Sequence, residues 1–190
     1  MPAFKIDEFI TSINKNGILK NNKYSVFFAT PAALNSYGKL NDILIRADSV
    51  RMPGMAFASA DGPPRLGYGP TERVPYVANF EEISITFTID ANSYIHKFFN
   101  DWVNAIFNFK GQGNTQAKTK GVYEVGYKDS YTTDISIELY DDLGNLKLTN
   151  KVYHAFPMAF PSESLSWGDG QPIKLTIPFA YIDYEVNYPK

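Results

Sequence analysis

The residues that most often perform chemistry in proteins are scarce in this sequence. It contains no cysteine and only two histidines, His96 and His154, which stand 58 positions apart. A zinc site or a nucleophile–histidine site needs several such side chains held together, so neither histidine points to one. The absence of cysteine also excludes disulfides and thiol catalysis. We interpret both histidines as structural or solvent-exposed.

Carboxylates occur as adjacent pairs, Glu81-Glu82 and Asp141-Asp142. Neighbouring residues on a strand point to opposite faces, so neither pair places two carboxylates side by side for acid–base catalysis. The segment 141–145 is also too short for an EF-hand, whose calcium ligands spread over about 12 residues. We therefore predict that the protein is not an enzyme and has no metal or cofactor. Carboxylates that meet across strands are the one enzymatic alternative left open.

The composition is that of a single globular domain, residues 1–190, with a sizeable core. The net charge of −2 gives no electrostatic basis for gripping nucleic acid or an anionic membrane. No apolar run reaches the roughly 18 residues of a membrane helix, and the N-terminus lacks the apolar core of a signal peptide. Aromatic residues make up 15% of the chain, which favours either a large aromatic core or tyrosines at contacts between subunits.

The stretch that must organise the fold is residues 80–109. Every second residue from 83 to 89 is apolar, which predicts a strand with one buried face. After Asp90 the period becomes helical, with a start at Asn92 or Ser93 and an end at Lys110-Gly111. We expect this helix to cover the apolar face of a sheet, each buried stripe residue contributing roughly 1.5–3 kcal/mol. The apolar stripe consists of Ile95, Phe98, Phe99, Trp102, Val103 and Ile106.

The other patterns are mostly those of short strands. Residues 24–28, 43–50, 134–140 and 146–152 are predicted strands, the last two forming a hairpin. Residues 173–186 are the closing strand, with a bend or bulge near Pro178. Pro157 and Pro161 argue against a central strand over 152–162. Residues 1–22 form an N-terminal arm with a short amphipathic helix at 5–18. The predicted class is mainly β with α (α+β): an antiparallel β-sandwich or partial barrel with one flanking amphipathic helix.

Residues 51–72 are rich in proline and glycine but also carry apolar side chains, which argues against plain disorder. We interpret them as an extended loop or long hairpin that contacts a neighbouring subunit, the alternative being that they fold back on their own domain. The residues assigned to this inter-subunit contact are Met52, Met55, Phe57, Leu66 and Tyr68.

The order of these segments resembles the tail tube proteins of contractile-tailed, T4-like bacteriophages over residues 20–188. No single motif carries the resemblance, which lies in the succession of segments. These are NFEEISITF (79–87), FFNDW (98–102), GQGN (111–114), YHAFP (153–157), SLSW (164–167) and YIDYE (181–185).

The resemblance implies a structural protein of the virion tail, with no catalytic residues to carry over. Six copies would close into a ring whose joint β-barrel lines a channel, and rings would stack into a tube inside a contractile sheath. The implied partners are other copies of the chain, the sheath, the baseplate tube initiator and a tape-measure protein. DNA would pass through the lumen without specific binding, and assembly would take place in the host cytoplasm.

The polar face of the central strand is our candidate for the lumen. A face of hydroxyls and acids, without Lys or Arg, would not adhere to phosphate, although it is also what an ordinary solvated sheet face looks like. The residues assigned to it are Glu82, Ser84, Thr86, Thr88 and Asp90.

Three other functions remain open at this stage. The first is a baseplate tube initiator, and the second is the tube component of a contractile injection system. The third, from another class, is a β-sandwich module that binds carbohydrate or a receptor through exposed tyrosines or Trp167.

Overall fold

In the computed structural model, the structure describes residues 6–7, 10–11, 17–37, 47–62, 67, 71–108, 124–163, 165–168 and 170–189. The helices are a 3₁₀ helix (Ala32–Tyr37), α1 (Tyr94–Ile106) and α2 (Lys128–Tyr131). The strands are β1 (Tyr24–Phe28), β2 (Ala47–Val50), β3 (Gly54–Gly62), β4 (Glu72–Glu81), β5 (Ile83–Thr88), β6 (Phe107–Asn108), β7 (Glu124–Val125), β8 (Thr133–Tyr140), β9 (Leu146–Pro157), β10 (Lys174–Ala180) and β11 (Asp183–Asn187). Among the described residues, no helix has the length and apolar character that a membrane crossing needs.

The main sheet has seven strands in the order β1-β8-β9-β10-β5-β2, with β11 also paired to β9. All of its pairs are antiparallel. The two outer strands, β1 and β2, approach each other. The Tyr24 hydroxyl in β1 donates a hydrogen bond to the Ala47 carbonyl in β2, at a distance of 3.3 Å. The predicted class, mainly antiparallel β as a sandwich or partial barrel with a flanking helix, is confirmed.

Strand β9 joins the two halves of this sheet. Its register against β8 shifts between Thr133 and Ile135, and His154 has a left-handed backbone with φ 52°. The His154 N–H donates to an Asp134 carboxylate oxygen at 3.2 Å. Such a bulge bends a strand, so β9 leaves β8 and β11 and pairs with β10 through its last two residues.

Two predictions that rested on prolines were wrong. Residues 152–157 belong to β9, a central strand whose last residue is Pro157. The next backbone N–H along the chain is that of Met158, which donates a hydrogen bond to the Pro178 carbonyl of β10 at 2.9 Å. Pro178 does not bend β10 either, because its backbone nitrogen faces the same side as that carbonyl, away from the β5 ladder, and it stays in register opposite Ser84. The closing segment breaks at residues 181–182, between β10 and β11.

Helix α1 fills the space above the sheet with aromatic rings. Phe98, Phe99 and Trp102 are fully buried and Ile95 is buried, while Val103 and Ile106 are half-buried. The Phe99 ring lies 4.9 Å from Phe87 of β5, and the Trp102 ring 5.9 Å from Phe179 of β10. The indole N–H of Trp102 donates to the Tyr131 carbonyl at 2.7 Å, so the buried polar atom is satisfied.

The helix ends earlier than its sequence indicates. It stops at Ile106 instead of Lys110-Gly111, because Phe107 and Asn108 turn into extended backbone and pair with Val125 and Glu124. The predicted N-terminal helix lies largely outside the described residues, and the predicted strand 43–50 is described only from Ala47 onwards. That residues 1–190 form one domain stays a prediction.

The two tryptophans provide a matched test of this core. We expect Trp102→Ala to lower the free energy of unfolding by about 3–5 kcal/mol, since it opens a large cavity and removes a satisfied hydrogen bond. Trp167→Ala should change it by less than about 0.5 kcal/mol, because that side chain is fully exposed. Guanidinium denaturation followed by circular dichroism measures both. Equal losses in the two variants would contradict the assignment of the core.

Candidate functional site

The first candidate surface is the largely exposed hairpin of β3 and β4, called here the projecting hairpin. It continues the β2–β5 pair without a break in register: Val50 faces Ile85 and Gly54 faces Glu81, with three residues between them on each strand. Within the sheet, β5 carries buried residues and β2 is only partly covered, whereas in the hairpin the continuation of both strands is largely solvated. Every residue of β4 is exposed, although β5, which follows it, is buried at alternate positions.

The projecting hairpin carries large apolar side chains that its own chain leaves uncovered. Phe57 is 61% exposed, Tyr76 is 67% exposed, and Met55 is also exposed. Met55 lies opposite Phe80, and Phe57 opposite Ala78, so these residues share one face. An isolated two-stranded hairpin is marginally stable in water, and exposed apolar surface of this kind marks an interface.

The residues predicted for an inter-subunit loop are only partly brought together. The segment 51–72 takes the hairpin alternative, with Met55 and Phe57 on its outer surface. Met52 precedes β3 and instead lines a cleft with Tyr24, Val50 and Leu139. Leu66 and Tyr68 lie outside the described residues.

Sequence reasoning missed the second strand of the hairpin, since it predicts no strand over residues 72–81. Val74, Tyr76, Val77 and Phe80 of β4 are all exposed. The signal was the dense apolar content of residues 74–80, which lies directly before the buried strand.

The base of the hairpin packs against the body of the protein. The Phe80 ring lies 5.9 Å from Tyr181 and 5.8 Å from Tyr184. The Tyr181 hydroxyl donates to the Glu81 carbonyl at 2.7 Å and also lies 3.4 Å from the Gly54 carbonyl. Burial raises the pKa of the Tyr181 phenol further above neutral pH.

The second candidate surface is the outward side of β5 and β10, called here the polar face. Ser84, Thr86 and Thr88 lie on it, half-exposed, as the alternation of β5 requires. The neighbouring strand β10 adds Thr176, whose hydroxyl lies 2.9 Å from that of Thr86. It also places Lys174 opposite Thr88, with the ammonium 2.7 Å from an Asp48 carboxylate oxygen. The sequence of β5 alone predicts a face without cations. In the sheet, the neighbouring strand β10 adds Lys174 to this face, and Lys174 is paired with Asp48.

The two acidic residues assigned to this face lie at its ends. Glu82 is exposed between β4 and β5. Asp90 caps α1, because one of its carboxylate oxygens accepts hydrogen bonds from the backbone N–H of Tyr94 at 2.9 Å and of Ile95 at 3.4 Å. Ser93, one of the predicted caps, has a left-handed backbone with φ 53° and makes no capping bond through its side chain.

No catalytic geometry is visible in the part of the chain that the structure describes. There, no group of three or more His, Asp and Glu residues is placed to hold a metal ion. His96 packs edge-on against Phe160 at 4.9 Å. The candidate site is therefore a pair of contact surfaces, the projecting hairpin and the polar face.

These features define a class: a mainly antiparallel β protein with an open seven-stranded sheet covered by α1 and with a largely exposed hairpin. The fold is shared with chains from contractile injection systems. A chain from the sheath–tube complex of the extracellular contractile injection system PVC, in its extended state, matches with a TM-score of 0.61 and 15% identity over 94% of this chain and 97% of its own. A chain from the cap that terminates the tube of the anti-feeding prophage matches with a TM-score of 0.61 and 13% identity over 90% and 92%. A chain from the six-fold symmetrised baseplate of that prophage gives 0.59 and 12% over 87% and 93%.

The family is identified from the sequence itself. The family model of the phage tail tube protein matches residues 19–187, and the chain belongs to that family. Its role is therefore structural, as a component of a tail tube. A comparison with curated proteins gave no match.

The cap of α1 gives a test of how Asp90 acts. We expect Asp90→Ala to lower the free energy of unfolding by about 1 kcal/mol, because two backbone N–H groups lose their acceptor. Glu82→Ala, a matched loss of one exposed carboxylate, should change it by less than about 0.5 kcal/mol. Urea denaturation compares the two variants. If Asp90→Ala is as stable as Glu82→Ala, Asp90 does not cap the helix.

Proposed function

We propose that copies of this chain close into rings, and that the rings stack into the inner tube of a phage tail through which the genome passes. The observation that carries the proposal is the projecting hairpin, a ribbon that continues the core sheet and exposes large apolar side chains such as Phe57 and Met55. Six copies per ring is the number favoured by the fold's likeness to a chain of a six-fold symmetrised baseplate. The protein acts as a wall component, without catalysis.

The projecting hairpin supplies the contact between copies. A closed ring or a stacked tube needs a heterologous interface, in which two different surfaces of identical chains meet. Burying one Phe or Met side chain contributes roughly 1.5–3 kcal/mol, so Phe57 and Met55 together are a substantial part of such a contact. The remaining partners follow from this role: the sheath outside, the tape-measure protein inside and the baseplate initiator at the end. Assembly takes place in the host cytoplasm, and the finished protein resides in the virion tail.

The polar face lines the channel. Its exposed hydroxyls offer no net positive charge, and the charge of Lys174 is balanced by Asp48 at 2.7 Å. The side chains of Ser84, Thr86, Thr88 and Thr176 are uncharged. DNA phosphates would therefore meet no unpaired cation on this face, and the genome would slide without specific binding.

A close alternative is that the chain serves as the baseplate tube initiator or as the tube component of an injection system. The fold's likeness to a chain of a baseplate favours the initiator, and its likeness to a chain of a sheath–tube complex favours the polymer. Electron microscopy of the purified chain separates them, since open-ended tubes support the polymer and a single closed ring supports the initiator. A carbohydrate-binding role rests on Trp167, which is fully exposed, and predicts a stable monomer that binds glycans.

The hairpin contact is tested by Phe57→Ser. We expect the critical concentration for tube formation to rise about ten- to hundredfold, because an apolar side chain is lost from the contact. The control is Leu143→Ser, which makes the same kind of change at the exposed turn between β8 and β9, where Leu143 is 88% exposed. Sedimentation and negative-stain microscopy measure assembly. Wild-type assembly by Phe57→Ser would remove the hairpin from the interface.

The lumen assignment is tested by exchanging Thr86 and Thr88 for Lys. Virions carrying both changes should form normal tails but infect at least about tenfold less efficiently, because two new cations hold the DNA phosphates. Asn187→Lys, on the exposed side of β11, adds positive charge elsewhere and should infect normally. The measurements are the plating efficiency and the rate of DNA ejection. Normal infection by the double variant would show that these residues do not line the channel.

A further inference from the structure

The projecting hairpin is long, so a small rotation at its base displaces its tip by a large distance. Its strands are nine and ten residues long, which at about 3.4 Å per residue gives a ribbon of roughly 30 Å. A swing of about 10° at the base therefore moves the tip by about 5 Å, more than a specific contact tolerates. Two-stranded ribbons twist and bend readily, so something at the base must oppose this swing.

The contacts at the base come from the corner between β10 and β11. Tyr181 follows the end of β10 and Tyr184 lies in β11, and their rings stand 6.2 Å apart at 86°. Both rings pack against Phe80, while the Tyr181 hydroxyl reaches the backbone of the hairpin. Gly54 and Glu81, whose carbonyls it approaches, are directly paired across β3 and β4. One hydroxyl thus contacts both strands at the pair where the hairpin leaves the body.

The other polar contact at the base is weaker. Arg51 and Glu81 form an ion pair at 2.8 Å, but both side chains are about half or more exposed. Exposed ion pairs contribute little to stability and are screened by salt, so this pair does not fix the direction of the hairpin. A short hydrogen bond from a partly buried phenol to a backbone carbonyl is directional and does not depend on salt.

We propose that Tyr181 is a positioning residue for assembly: its hydroxyl fixes the direction of the projecting hairpin and so lowers the concentration at which copies assemble. The inference rests on the proposed function, in which the hairpin contacts another copy. It assigns the affinity of that contact partly to a residue outside the contact, because a hairpin already held in place loses less conformational freedom on binding.

The test compares Tyr181→Phe with Tyr184→Phe. Each variant removes one hydroxyl and keeps the ring in the same aromatic cluster, so neither opens a cavity. Hydrogen–deuterium exchange of β3 and β4 peptides, measured at a concentration at which light scattering shows only protomers, reports the order of the hairpin. Sedimentation then gives the critical concentration for assembly, and the melting temperature reports the body of the fold.

For Tyr181→Phe we expect hairpin exchange and critical concentration each to rise about three- to tenfold, the loss of one hydrogen bond. The melting temperature should stay within about 2 °C of the wild type, and Tyr184→Phe should match the wild type in exchange and assembly. Wild-type exchange in Tyr181→Phe would overturn the proposal, as would faster exchange with an unchanged critical concentration. The exchange result on protomers is independent of assembly, so it stands apart from the Phe57→Ser test of whether the hairpin is a contact at all.

Discussion

The burial of one aromatic face of α1 against the sheet is the interaction on which the rest of this structure depends. Phe98, Phe99 and Trp102 have no exposed surface, and they meet Phe87 of β5 and Phe179 of β10. Because side chains alternate along a strand, committing Phe87 to the helix also commits Thr86 and Thr88 to the opposite side. The position of the helix therefore decides which face of the sheet is available for the proposed channel wall.

The same commitment directs the projecting hairpin. Strand β5 is held in the core by Ile83, Ile85 and Phe87, and its register carries on unbroken into β4. The hairpin is thus a covalent extension of β2 and of the buried strand β5, and force applied to its tip reaches the core along these strands. A contact surface built in this way differs from a surface loop, whose geometry is set locally and varies more readily.

Local patterns were sufficient to predict the parts of the fold that local patterns determine. The alternation at 83–89 and the helical stripe at 95–106 each describe one element packed on one face, and the structure has both elements. The features missed depend on contacts between distant parts of the chain. Lys174 stands opposite Thr88 because β10 pairs with β5, and no sequence spacing encodes that register. Asp90, Asn92 and Ser93 are all residue types that cap helices well. The left-handed backbone at Ser93, which the sequence does not show, decides that the capping hydrogen bonds go to Asp90. The predictions made at Pro157 and Pro178 rested on the absence of a backbone N–H in proline. Whether that absence disrupts a strand depends on which neighbouring strand the backbone nitrogen faces.

The solvated state of β4 also bears on the life of the protein before assembly. A ribbon whose ten β4 residues are all exposed opens at little cost, and open backbone is what proteases cleave. A free protomer is therefore most vulnerable at the segment that the proposed tube covers, while its core stays protected by α1. Copies left outside a tube would be degraded first and copies inside it would persist, so the lifetime of each copy in the cell would depend on whether it had found its neighbours.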